Sequence, residues 1–246
     1  MITTQNKHVY VKTINYSNDL KKECAKVRDG WTSLLIIKNA SPEVEKITGL
    51  TALSQDLYGN KVIPIGGDDN KESGHIWHET EMLWHNDRAY SKDVHPVVGL
   101  YCMSAPEGSA CTRFCDMQTA YEEAPQRLKD KSKIKCINDV NKYFQQIQYP
   151  HTFKEERNEI IYRKRSKAVH DLVMCDDSGS WFFFSPAYTH VDHQEELIQH
   201  CIQDKYIYEH KWTNNDLLVY NNLKLIHARG ETSSHIKRRH LRYALK

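Results

Sequence analysis

Apolar runs broken by short polar stretches recur along this chain, and they predict more strands than helices. Residues 31–37, rich in Leu and Ile, and the run VVGLYCM at 97–103 have the pattern of buried strands. The second run closes on the turn Ala105-Pro106-Glu107-Gly108. Strands at 169–174 and 181–185 flank Asp176-Asp177-Ser178-Gly179, whose glycine predicts a hairpin. Strands at 216–220 and 239–245 end the chain, with Asn221-Asn222 as a turn-like break after the first of them. Helical patterns are fewer. Residues 18–29 (NDLKKECAKVRD) read as a short amphipathic helix, and 117–128 and 194–202 as two more. Ser41-Pro42-Glu43 resembles a helix start, with serine as cap and proline in the first turn. Residues 129–168 are charged and without period, which predicts a mobile surface excursion. The balance predicts a mainly β fold with flanking helices, a sandwich or barrel. No repeat, low-complexity tract or long linker divides the chain, so residues 1–246 read as one domain.

Candidate chemistry begins at Trp84-His85-Asn86-Asp87. In an extended segment His85 and Asp87 project from one face, and an imidazole beside a carboxylate suits a borderline divalent metal. The three-residue pattern also recurs by chance, as a strand-end histidine bonded to a carboxylate. His227 ends the apolar segment Leu225-Ile226-His227 and supplies a third ligand of the right type. Two histidines and one carboxylate form the facial triad of non-haem Fe(II) oxygenases, which leaves positions open for small ligands. In Arg238-Arg239-His240-Leu241-Arg242 a strand sends Arg238, His240 and Arg242 to one face. An inward guanidinium is costly unless it meets a carboxylate, which it clamps with two parallel hydrogen bonds. A solvated basic tail is the other reading of that segment.

Composition narrows the field. The 246 residues carry 34 basic and 32 acidic side chains, a net +2, which argues against a dedicated nucleic-acid binder. No window approaches the roughly 18–20 consecutive apolar residues of a membrane span. The start, MITTQNKHVYVK, lacks the apolar stretch of a secretory signal. Seven cysteines with no C-x-x-C pair point to reduced thiols and a cytoplasmic setting, several of them small buried hydrophobes.

Taken together these residues resemble the taurine dioxygenase (TauD/TfdA-like) family of Fe(II)/2-oxoglutarate oxygenases. WHND matches an aromatic followed by H-x-D, and with twenty-four residues between it and Asp87, Thr112 stands in GSACTRFCDMQTAYEEAP, similar to the family's glycine-rich turn, threonine and helix. His170 in AVHDLV, then a turn and WFFFSPAYT, resembles a histidine–strand–turn–strand stretch. KWTNNDLLVYNNLKLIHARGE resembles the W-x-x-G-D, strand, W-D-N and distal histidine block, with ten residues between His227 and Arg238. Three positions depart. Asn215 stands for glycine, tolerable because asparagine accepts left-handed angles. Asn221 stands for aspartate, and Glu81 stands where taurine-type members carry a substrate-binding asparagine. A second H-x-D, His190-Val191-Asp192, reads as a capping or surface pair, and His193 and His200 have no better claim.

The resemblance implies a double-stranded β-helix (jelly roll, cupin-like). It implies that His85, Asp87 and His227 hold Fe(II) and that 2-oxoglutarate chelates the metal. Arg238 and Thr112 then take its far carboxylate, and Arg242 contacts either the cosubstrate or an anionic substrate. With O2 as oxidant, the implied reaction oxidises an unactivated C–H bond of a small anionic or zwitterionic metabolite and releases succinate and CO2. Hydroxylation leads, because halogenating relatives have a small residue in place of Asp87. Desaturation and isonitrile-forming oxidative decarboxylation use the same centre. A cupin-like metal-binding sensor and a zinc hydrolase are the readings from other classes. Candidate lids are 65–73 and 129–168, where ERNEIIYRKRSK reads as a solvated face. Oligomeric state is left open.

Overall fold

In the computed structural model, which describes residues 11–15, 20–55, 59–66, 82–130, 134–140, 142, 167–230 and 238–246, the apolar runs become strands covered on both sides. The strands are β1 (Val11–Asn15), β2 (Leu34–Lys38), β3 (Ala52–Leu53), β4 (Val62–Gly66), β5 (Met82–His85), β6 (Val97–Ser104), β7 (Thr112–Asp116) and β8 (Lys135–Asp139). They continue as β9 (Lys167–Asp171), β10 (Val173–Asp176), β11 (Gly179–Phe182), β12 (Thr189–His190), β13 (Ile207–His210), β14 (Leu217–Asn221), β15 (Leu225–Arg229) and β16 (Arg239–Leu245). The α-helices are α1 (Leu20–Arg28), α2 (Val44–Thr48), α3 (Met117–Glu122), α4 (Gln126–Lys129) and α5 (Gln194–Cys201).

A seven-stranded sheet runs β1-β2-β14-β6-β16-β3, with β4 also on β16, and a four-stranded sheet runs β13-β7-β15-β5. Strand periodicity explains the lack of polar alternation. Leu34 and Ile36 of β2, Leu218 and Tyr220 of β14, and Val98 and Leu100 of β6 pack with Phe114 of β7 between the two sheets. Their neighbours Leu35, Ile37, Leu217, Val219, Val97 and Tyr101 pack on the opposite face with Leu20, Cys24 and Val27 of α1 and Ile47 of α2. A third cluster covers the outside of the smaller sheet, where Cys115 and Ile226 meet Met117, Leu197 and the run Trp181–Phe184. The outcome is the mainly β, helix-flanked jelly roll that the sequence predicts, and both of its sheets contribute to one cavity.

Several local expectations need correction. The helix expected over 117–128 is two, because Pro125 lacks the N–H that a continuous helix needs and restricts the residue before it. Asp116 caps the first of them, accepting from Gln118 N and Thr119 N. The excursion at 129–168 contains ordered structure: β8 lies between β12 and β9. Residues 143–166, with most of ERNEIIYRKRSK, lie outside the described residues. So do 67–81, which hold Glu81 and most of the first candidate lid. The strand expected from Trp31 starts at Leu34, and Trp31 is exposed. Pro42 precedes α2, whose cap residue is Glu43; the Ser41 hydroxyl accepts only the Glu43 N–H. Thr112 opens β7, which leads into the expected helix at Met117. The 181–185 strand is shifted to Gly179–Phe182, and the expected hairpin forms with Asp176 opposite Gly179.

Candidate metal and cosubstrate site

His85 and His227 are brought together by strand register. β15 pairs antiparallel with β5, and His227 lies directly opposite His85, with ring centroids 4.3 Å apart. Asp87 is not on the strand: β5 ends at His85 and Asp87 begins a turn, which corrects the expectation of one extended segment. Its carboxylate still reaches both rings, with Oδ1 4.0 Å from His85 Nε2 and Oδ2 3.8 Å from His227 Nε2. One ligand atom from each of the three lies within 4.8 Å of the others, and all three residues are buried.

A side-chain amide holds that turn. Asn222, in the connection between β14 and β15, accepts from Asp87 N at 2.8 Å and donates to Asp87 O at 3.0 Å and His95 O at 2.8 Å. Asn86 donates to Asn222 O and Leu225 O, and its own amide oxygen takes the Ser185 hydroxyl at 2.6 Å. Asp87 is therefore fixed to the same corner that launches the His227 strand. The neighbouring Asn221 shows why asparagine serves there: its oxygen accepts from Leu223 N and Lys224 N, and its amide donates to Val27 O. His170 closes the turn's far side through Nε2, 3.0 Å from both Ala89 O and Ser91 O.

The donor set fits a divalent metal. His85 Nδ1 lies 2.7 Å from Leu83 O, an atom that can only accept, so Nδ1 carries the proton and Nε2 keeps its lone pair. That Nε2 is buried without a hydrogen-bond partner. Burial keeps both imidazoles neutral, His85 below its ordinary value and His227 down to about 3. For Asp87 burial acts in the opposite direction, but Arg242 and the two histidines outweigh it and hold the carboxyl at about 2. Two neutral imidazoles and one carboxylate suit iron, zinc or manganese alike.

β7 pairs with β15 so that Phe114 faces His227 and Thr112 faces Arg229. Two strand residues, about 7 Å, therefore separate the metal level from the Thr112 level. At that far level Arg238 donates to the Thr112 hydroxyl at 3.3 Å and to Ala110 O. The Thr112 hydroxyl also accepts from Trp212 Nε1 at 2.9 Å. Burial and the nearby Arg229 charge lower the Arg238 pKa to about 9, so the guanidinium stays charged at neutral pH. Among the described residues no carboxylate reaches it. Arg242, four residues further on, serves the near end: Nη1 lies 2.7 Å from Asp87 Oδ1. The cavity is open to solvent, and among the described residues its lining includes Arg88, Arg229, Arg238 and Arg242 and one carboxylate, Asp87.

Sequence reasoning missed Tyr220, whose hydroxyl is 3.5 Å from Asp87 Oδ2 and 3.4 Å from His227 Nε2; His240, expected on the Arg238 face, is a buried imidazole edge-on to Trp212 at 4.3 Å. Tyr220 occupies the aromatic place of the quoted W-D-N match, and that was its available signal. His190 and its Asp192 stay out of the site; His190 is exposed on β12. His200 bonds Ala120 O, and His193 caps α5 with left-handed backbone. Asn215 adopts φ 65°, as its substitution for glycine requires, and accepts the Tyr101 hydroxyl at 2.7 Å.

Residues 51–245 match the Taurine catabolism dioxygenase TauD, TfdA family. The chain belongs to that family. Among TauD/TfdA relatives, the alpha-ketoglutarate-dependent 2,4-dichlorophenoxyacetate dioxygenase of Burkholderia sp. (strain RASC) is 25% identical over 175 residues, covering 66% of this chain and 57% of that protein. The match thus spans well under two thirds of that relative's length. AAD-2, solved with Mn(II) and N-oxalylglycine, superposes with a TM-score of 0.72 at 18% identity, over 97% of this chain and 96% of the other. A taurine dioxygenase from Burkholderia xenovorans gives a TM-score of 0.65 at 14% identity, over 97% and 89%. Those two likenesses concern the fold.

Two outcomes follow from this TauD/TfdA site. Asn222→Ala leaves the Asp87 N–H and carbonyl without their partner, and metal affinity should fall by about 10–100-fold, read by titration of the metal-free protein. The second concerns pH. His85, His95, His210, His227 and His240 are all pushed below their ordinary value of 6.5 by burial, so in the fold they resist protonation. An unfolded chain takes up those protons first. Stability is therefore fully present above pH 6.5 and is lost on acidification, at about 1.4 kcal/mol per histidine per pH unit until each folded group titrates. Urea unfolding of the metal-free protein should give a smaller free energy at pH 5.5 than at 7.5; an equal or larger one contradicts this.

Proposed function

We propose that the protein is a non-haem Fe(II)/2-oxoglutarate-dependent dioxygenase that hydroxylates an unactivated C–H bond of a small anionic or zwitterionic metabolite. The observation that carries this is the pairing of a His85–Asp87–His227 ligand set with a guanidinium–hydroxyl clamp, Arg238 and Thr112, two strand residues away. A metal site alone has no use for an inward charge at that distance. A five-carbon dicarboxylate that chelates the metal at one end and meets Arg238 at the other uses both. The TauD/TfdA membership supports the same assignment.

Bound Fe(II) with 2-oxoglutarate and O2 supplies the oxidising power, and the cosubstrate leaves as succinate and CO2. The protein's residues do the rest. His85, Asp87 and His227 occupy one side of the metal. Arg238 and Thr112 fix the direction of the cosubstrate, which leaves the Arg242 side of the cavity to the molecule being oxidised. Arg88, Arg229 and Arg242 all line the cavity, and a basic lining favours an anion there. The relatives named for taurine and 2,4-dichlorophenoxyacetate support the same class, since the first name denotes a zwitterion with a sulfonate and the second a carboxylate anion. The carboxylate at position 87 favours hydroxylation over halogenation. Seven free thiols suit a reducing, cytoplasmic compartment.

Protein loaded with Fe(II) under anaerobic conditions and then given air should release succinate from 2-oxoglutarate, faster when a metabolite pool supplies the substrate. Asp87→Ala should abolish that release. Metal binding without succinate, with or without the pool, would instead support the cupin-like sensor. Hydrolytic activity with Zn(II) in the absence of O2 would support the hydrolase.

A further inference from the structure

Gln55 lies in the loop between β3 and β4, two strands that share one edge of β16. Its amide makes three hydrogen bonds, two of them to the same residue. Nε2 donates to Lys61 O at 2.7 Å and to Arg242 O at 2.8 Å, and Oε1 accepts from Arg242 Nε at 2.9 Å. Both carbonyls can only accept and the guanidinium can only donate, so the amide has one workable orientation. A carboxylate at 55 would face two carbonyl oxygens, and an apolar side chain would hold nothing. The far end of the same guanidinium meets Asp87: Nη1 lies 2.7 Å from Oδ1. That same Oδ1 lies 4.0 Å from His85 Nε2, while the other carboxylate oxygen, Oδ2, faces His227 Nε2 at 3.8 Å and the Tyr220 hydroxyl at 3.5 Å.

We propose that Gln55 is a positioning residue that acts through Arg242, holding its guanidinium on Oδ1 of Asp87 so that the carboxylate offers the metal Oδ2 alone. This rests on the reading of His85, Asp87 and His227 as metal ligands. A carboxylate that binds through one oxygen takes one coordination position, which leaves room for a chelating cosubstrate and one more small ligand. The arrangement works against raw metal affinity, because a fixed cation sits beside the anion that attracts the metal. Releasing Arg242 frees the second oxygen and removes that repulsion. The bare metal then binds more tightly, and the chelating ligand loses a position.

Gln55→Met in the full chain tests this, with Co(II) followed by its visible absorption and N-oxalylglycine as the chelating probe. The variant should bind Co(II) about tenfold more tightly and, once loaded, N-oxalylglycine about tenfold more weakly. A role confined to closing the β3–β4 loop would weaken both together, and that result, or no change in either, overturns the proposal. In an Arg242→Met background Gln55→Met should add nothing further; an additive effect also overturns it. Co(II) binding that survives Asp87→Ala overturns the ligand reading itself and this proposal with it. Binding that requires Asp87 yet ignores Gln55→Met overturns this proposal alone.

Discussion

The side-chain amide of Asn222 grips both the N–H and the carbonyl of Asp87, and the rest of the site depends on that grip. Asp87 is beyond the end of its strand, so no ladder hydrogen bond sets its position. The amide replaces the missing ladder with two buried hydrogen bonds, and it comes from the corner where the chain leaves the larger sheet for the smaller one. The strand that follows carries His227 and pairs with the strand that carries His85. One corner thus sets all three ligands. A shift of a single residue in the β15–β5 pairing would turn His227 to the opposite face and dismantle the set.

Charge is distributed along the cavity in the same order as the strands. At the near end a lone carboxylate is shared among two neutral imidazoles and Arg242. At the far end Arg238 Nη1 is bonded to a hydroxyl and a carbonyl, neither of which neutralises the guanidinium charge. A fold that carries such a charge must offset it elsewhere, and the clusters on both faces of the larger sheet are where apolar burial accumulates. The far carboxylate of a cosubstrate would complete the pairing. Under the proposed function, binding and catalysis would both draw on one feature, an anion site at the start of β16.

Much of this was legible in the sequence, for identifiable reasons. His227 and the Arg238–Arg242 segment lie on strands whose apolar neighbours announce them, and a period of two fixes the face of each side chain. Asn215 could be read because left-handed backbone has few tolerant residues. Asp87 does lie beside His85, but for a reason other than the one expected: turn geometry, not strand alternation, brings it there. The single helix expected over 117–128 failed at Pro125, and the strand at 135–139 was hidden because its burial alternates among charged residues. Gln55 left no local trace at all. Its partner is 187 positions away, and only the pairing of β3 and β4 with β16 brings the two together.

The most direct test of the central claim is the visible spectrum of the anaerobic Fe(II)-loaded protein titrated with 2-oxoglutarate. Chelation beside His85, Asp87 and His227 predicts a new charge-transfer band that saturates at one cosubstrate per chain. In Arg238→Met the same band should appear only at about 100-fold higher concentration, the loss expected for a paired charged hydrogen bond. A band that saturates at the same concentration without Arg238, or no band from protein that has bound Fe(II), would contradict the account.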